Sequence, residues 1–140
     1  MEDPKMFLAN KEYPWQKISH ELVEQALNTL ANVCRLEADR WYHDPLSGER
    51  IFLNKGERFA LMHSELSEAF EAERKDLMSD HIPEFRGVEE ELADLLIRTF
   101  DYAGEHHLRL GEAFVAKLLY NRTRQDHTNA ARLGPNGKKF

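Results

Sequence analysis

Apolar residues recur at helical spacing in four stretches of the chain, and clusters of turn-forming residues separate them. Ile18, Leu22, Ala26, Leu30 and Val33 lie about one turn apart, which predicts a helix from about Trp15, with the option of extension toward Trp41. His43-Asp44-Pro45-Leu46-Ser47-Gly48 then breaks it with turn chemistry. Asn54 followed by Glu57 has the spacing of a capping box, so a second helix opens there. Phe59, Met62, Leu66, Ala69 and Phe70 form its apolar stripe, to about Met78. Residues 80–87, with Pro83, read as a connection. A third helix starts near Val88 and carries Leu92, Leu95, Leu96, Ile97, Phe100 and Ala103. Residues 104–111, bounded by Gly104 and Gly111, read as a second break, with the option of helix through His106. A fourth helix holds Phe114, Val115, Leu118 and Leu119 and ends near Arg124.

The ends are different. Residues 1–14, with Pro4 and Pro14, read as an irregular arm, and residues 126–140, with Gly134-Pro135-Asn136-Gly137, as an extended tail. No strand-like alternation, internal repeat or low-complexity block interrupts the pattern. Four helices on short connections predict an all-α chain with a four-helix-bundle-like core in a single domain over 1–140.

Composition narrows the function classes. At 140 residues the chain suits one domain, and its 31% charged residues suit helical surface in water. A net charge of −6 argues against binding nucleic-acid backbones or anionic membranes. No purely apolar run exceeds four residues, far short of a membrane span. Cys34 is the only cysteine, so no intramolecular disulfide forms, and no cationic segment followed by an apolar run opens the chain. A cytoplasmic protein is expected.

Two pairs of carboxylates stand out, Glu65-Leu66-Ser67-Glu68 and Glu91-Leu92-Ala93-Asp94. On a helix, residues three apart share a face, so each pair projects two carboxyl groups the same way. If the second and third helices lie side by side, four anionic oxygen donors converge, and such a set favours hard cations, Mg²⁺ or Mn²⁺. One acidic pair alone is more simply a solvated face. At about 100° per residue, however, the apolar residues of the third helix cover most of its circumference, leaving Glu91, Asp94, Arg98 and Asp101 on the remaining arc. A helix this apolar is largely buried, so its acidic strip is expected to face a cleft. The triplet Glu89-Glu90-Glu91 leaves the register open, although only Glu91 keeps the three-residue relation to Asp94.

Lys117, Asn121 and Arg124 form a second constellation, spaced by four and three, on one face of the fourth helix. Cations beside an amide suit phosphate oxygens, though a basic stripe near a helix C-terminus also simply complements the dipole. No histidine has a glutamate three residues before it, which removes the Glu-x-x-His signature of di-iron bundles. His43-Asp44 invites comparison with HD-type phosphohydrolases but sits before Pro45 in a turn. Trp15, Trp41, Tyr42, Phe52 and Tyr120 are available to stack on a nucleobase, or to pack in the core; spacing does not choose among them.

Glu65-x-x-Glu68, 22 intervening residues, Glu91-x-x-Asp94, and then Lys117-x-x-x-Asn121-x-x-Arg124 together resemble the motifs of the all-α nucleoside triphosphate pyrophosphohydrolases, and of MazG-like proteins in particular. The resemblance spans residues 54–124. It implies Mg²⁺-dependent cleavage of a nucleoside triphosphate to the monophosphate and pyrophosphate, with Mn²⁺ as a substitute. It further implies Glu65, Glu68, Glu91 and Asp94 as metal ligands, Glu68 and Glu65 as the catalytic pair, and Lys117, Asn121 and Arg124 as substrate-binding. Assembly into a homodimer or homotetramer that completes the helical core belongs to the same expectation, as does a role in nucleotide-pool house-cleaning or phage nucleotide metabolism. The competing expectations are a non-catalytic nucleotide- or metal-binding helical oligomer with a regulatory role, and an acidic helical scaffold with no ligand.

Overall fold

The structure, a computed structural model, describes residues 19–138 and is all-α, with helices packed against one another and no strand among those residues. The elements are α1 (His20–Glu37), a 3₁₀ turn (Asp39–Tyr42), α2 (Lys55–Lys75), α3 (Gly87–Glu105), α4 (Leu110–Thr123), a second 3₁₀ turn (Gln125–His127) and α5 (Asn129–Leu133). The expected irregular arm over 1–14 and the expected helix start at Trp15 lie outside the described residues. The chain clusters into two compact units, Leu27–Arg109 and Met1–Ala26 with Leu110–Phe140.

In the first unit, α1 stops at Glu37 rather than continuing to Trp41. The chain tightens into the 3₁₀ turn, with Trp41 N–H donating to Ala38 O at 2.9 Å. The tighter winding carries Tyr42 inward, to 2% exposure, where its hydroxyl donates to Asp101 Oδ1 at 3.0 Å. The break after it follows the sequence. Asp44 Oδ1 accepts from Leu46 N–H at 3.0 Å and Ser47 N–H at 2.8 Å, and Gly48 sits at φ +73°. Those backbone donors hold the Asp44 carboxyl below the usual carboxylate range, so His43-Asp44 is a turn device.

Helix α2 opens as its sequence demands. Asn54 is extended and its side chain accepts from Glu57 N–H at 3.1 Å. It closes three residues before Met78. Asp76 turns left-handed at φ 51°, and Leu77 N–H reaches back to Ala72 O at 3.0 Å, satisfying the last turn. Helix α3 begins at Gly87, where Arg86 N–H donates to Glu89 Oε2 at 2.8 Å, and ends with His107 left-handed at φ 51°.

Helices α2 and α3 form an antiparallel pair. Cross-contacts run Ala72 with Gly87, Glu65 with Arg98, Arg58 with Asp101 and Phe59 with Tyr102, in opposite chain directions. Ala69 and Ala72 on α2 and Phe100 and Ala103 on α3 are buried, and small alanines let the two backbones approach. Gly104 lies within α3, which runs on to Glu105 as the option of helix through His106 allowed. A Cβ at Gly104 would stand 2.5 Å from Ala31 O and 2.7 Å from Arg35 Cβ, so the glycine admits α1 against α3. Arg35 Nε then donates to Glu105 Oε2 at 2.5 Å, and Arg50 pairs with the same carboxylate.

In the second unit α4 ends at Thr123. The tail beyond it is not the expected extended arm. Thr128 caps α5, its hydroxyl accepting from Ala131 N–H at 3.2 Å, and Ala130 and Ala131 are strong helix formers.

Candidate metal centre

Glu65, from the middle of α2, and Glu91 and Asp94, from the first half of α3, each bring one carboxylate oxygen to a common point, all within 4.8 Å of one another. The three-residue step from Glu91 to Asp94 aims both at α2, and the antiparallel pairing sets Glu65 opposite them. Glu65 is 6% exposed, while Glu91 and Asp94 are half-buried.

Burial and repulsion from neighbouring carboxylates raise the proton affinity of Glu91 and Asp94. Glu91 is pushed above the usual carboxylate range by burial first, then by Glu68, Glu65, Glu90 and Asp94. Asp94 is pushed up by burial, then Glu65 and Glu90, with Arg98 and His81 opposing. One cation is already present. Arg98, one turn beyond Asp94, donates from Nε to Glu65 Oε1 at 2.5 Å. The donor set is all oxygen and all carboxylate, which fits a hard divalent cation and disfavours softer metals that seek sulfur or nitrogen.

The three consecutive acids of α3 divide their work. Glu89 caps the helix through Arg86 N–H, and Glu90 binds His81 Nδ1 at 2.7 Å. Hydrogen bonds from Ser79 and His81 hold the Glu90 carboxyl below its ordinary value, and the Glu90 carboxylate raises His81. Glu91 alone enters the cluster. Glu68, one turn along α2 from Glu65, is solvent-exposed and lies outside the convergent set, yet its charge is the largest electrostatic influence on Glu91.

The sequence placed Asp101 on the polar arc of α3 but not the partners that meet it there. Seven residues before Glu65 comes Arg58, and seven beyond Asp94 comes Asp101, which is 4% exposed. Arg58 pairs with Asp101, and Tyr42 donates to it. Burial and then Asp101 push the Tyr42 hydroxyl up to about 12, and Arg35 stacks on its ring at 4.0 Å. Two-turn spacing from the acidic pairs was the available signal.

The basic constellation belongs to the other unit. Lys117 is exposed, with Nζ 4.6 Å from the Tyr120 ring centroid. Asn121, one turn on, keeps Oδ1 shielded from solvent with no hydrogen-bond partner among the described residues. Arg124 does not continue the helical face expected for it. Its backbone is extended (ψ 120°), one residue past the end of α4, and its guanidinium grips Asp126 through Nε at 2.9 Å and a second nitrogen at 2.5 Å. That fork raises Arg124 and holds Asp126 well below the usual range.

Beside the triad a cavity of about 520 Å³ opens along the α2–α3 groove, and Asp94 forms part of its wall. Among the described residues no helix is long and apolar enough to cross a membrane. No family model, curated protein or solved structure matches the chain.

Proposed function

We propose that the protein is a Mg²⁺-dependent nucleoside triphosphate pyrophosphohydrolase, releasing the monophosphate and pyrophosphate, and serving nucleotide-pool house-cleaning or phage nucleotide metabolism in the cytoplasm. The observation that carries this reading is the convergence of Glu65, Glu91 and Asp94 from two helices at a cost in mutual repulsion. A fold retains such a cluster against its own stability where a cation offsets the charge.

Glu65, Glu91 and Asp94 would hold the ion, and Glu68 stands one turn along α2 from Glu65. When bound, Mg²⁺ supplies Lewis acidity toward phosphate oxygens and acidifies water. Glu68, exposed one turn from Glu65, orients the attacking water and accepts its proton. Arg98 offers its guanidinium to the phosphates from the same groove. In the other unit, Lys117, Asn121 and Arg124 are the groups suited to phosphate oxygens, Arg124 by exchanging Asp126 for phosphate. The active form is a homodimer or homotetramer, because Leu66, Phe70, Leu92 and Leu96 are 51%, 64%, 43% and 54% exposed.

The Arg98–Glu65 pair favours a second reading, in which the stripe is a fixed ion-pair network in a non-catalytic helical oligomer. A turnover panel of ribo- and deoxyribonucleoside triphosphates with Mg²⁺, products resolved, separates the two. Monophosphate plus pyrophosphate supports the enzyme, whereas diphosphate plus orthophosphate, or no product from any nucleotide, refutes it.

A further inference from the structure

The cavity beside the triad has walls that phosphate chemistry does not need. Trp41, Leu53, Leu61 and Ile97 line it, with Asp94 and Arg98 toward the triad, Glu57 toward the start of α2, and the Arg58–Asp101 pair between them. The exposed area of its wall is mainly apolar although charged side chains contribute to it, and apolar area with convergent polar groups is the pattern of a small-molecule pocket.

Trp41 is the unusual member. Tryptophan is among the more buried residues on average, yet this one is 62% exposed. The 3₁₀ turn fixes its position, because the neighbouring Tyr42 is anchored on Asp101. Arg40 lies over the indole, 5.2 Å from the ring centroid, and steadies it further. A held aromatic surface beside a cavity suits a planar ligand.

Length and charge agree. From Asp94 to Asp101 the groove runs seven residues along α3, about 10 Å at the helical rise. That is the reach of one nucleoside, measured from a phosphate at the triad. Glu57, near the far end, has no hydrogen-bond or ion-pair partner for its carboxylate among the described residues; only its backbone N–H is engaged, with Asn54. An ionised carboxylate is acceptor-only. It accepts from the exocyclic amino group of cytosine, adenine or guanine, whereas uracil and thymine offer it only a ring N–H flanked by two repelling carbonyl oxygens.

We propose that this cavity binds the nucleobase of the substrate, with Trp41 as its stacking face and Glu57 as the acceptor that selects amino-bearing bases over uracil and thymine. The proposal rests on reading the triad as the phosphate-handling centre. The test is calorimetric binding of non-hydrolysable α,β-imido deoxynucleoside triphosphates in Mg²⁺ to wild type, W41A, W41F and E57Q, with inorganic tripolyphosphate as the baseless probe. W41A is expected to weaken every nucleotide by about tenfold or more while tripolyphosphate binding holds. W41F should keep most of the affinity, and E57Q should narrow the gap between amino-bearing bases and uracil or thymine.

Equal losses for nucleotides and tripolyphosphate, no loss in W41A, or no nucleotide binding by the wild type overturns the pocket. So does a change in the oligomeric state of W41A, which would show that a second copy covers the indole. The turnover panel judges the reaction separately. Cleavage with a KM unaffected by W41A removes the pocket and leaves the enzyme; Trp41-dependent binding without cleavage leaves the pocket and removes the enzyme.

Discussion

Arg98→Met tests the electrostatic reading of the centre, because it is expected to move stability and cation affinity in opposite directions. Arg98 donates to Glu65, whose side chain is 7% exposed, while its own is 37% exposed. Removing one partner of a fully buried pair costs about 3–5 kcal/mol. With the arginine more than a third in solvent, roughly 2 kcal/mol is the appropriate scale. At about 3–4 °C per kcal/mol for a chain of this length, the metal-free protein should melt roughly 7 °C lower. The same substitution removes a positive charge on the order of 5 Å from the triad, worth about 6 kcal/mol against a doubly charged cation at an effective dielectric of about 20. Halved for solvent screening, about 3 kcal/mol corresponds to roughly hundredfold tighter Mn²⁺ binding. Circular-dichroism melts in chelator and in Mn²⁺, with titration of free Mn²⁺ by electron paramagnetic resonance, read both effects. Arg98→Lys, which keeps the charge, should show neither in full. A folded Arg98→Met protein that binds Mn²⁺ no better than wild type would refute the triad as a cation site, since a merely structural arginine lowers both quantities together.

Asp94→Asn should abolish turnover yet stabilise the metal-free fold. The Asp94 carboxyl is raised in the folded state, so its favourable contribution is complete in acid and disappears as pH rises through the shifted value. The melting advantage of the variant over wild type in chelator should therefore grow from about pH 4 toward neutrality, and a pH-independent difference would count against this account. Tyr42→Phe removes the hydroxyl bonded to buried Asp101 and should cost about 1–3 kcal/mol by denaturant unfolding with the m-value unchanged. Gly104→Ala gains helix propensity but drives a methyl group into Ala31 O and Arg35 Cβ; a net loss of about 1–2 kcal/mol is expected, and a higher melting temperature would show that α1 is not seated there.

Local chemistry carried much of the architecture. Apolar spacing located α2 and α3, Asn54 marked the start of α2, and Asp44 with Gly48 marked the turn before it, because caps and turns are made by residues a few positions apart. Three-residue spacing also put Glu91 and Asp94 on one face of α3, with Glu65 on a face of α2. What spacing cannot supply is the facing and register of one helix against another, which many distant side chains settle together. Spacing singled out Glu91 from Glu89 and Glu90, but only the tertiary structure decided that Glu91 meets Glu65 and that Glu68 stays in solvent. Packing also made Gly104 an interhelical contact instead of a break, and it buried Asp101 between Arg58 and Tyr42. It set Arg98 against Glu65 and left Trp41 exposed on a cavity wall. A residue's own helix fixes the direction of its side chain. What waits in that direction is fixed by the rest of the chain.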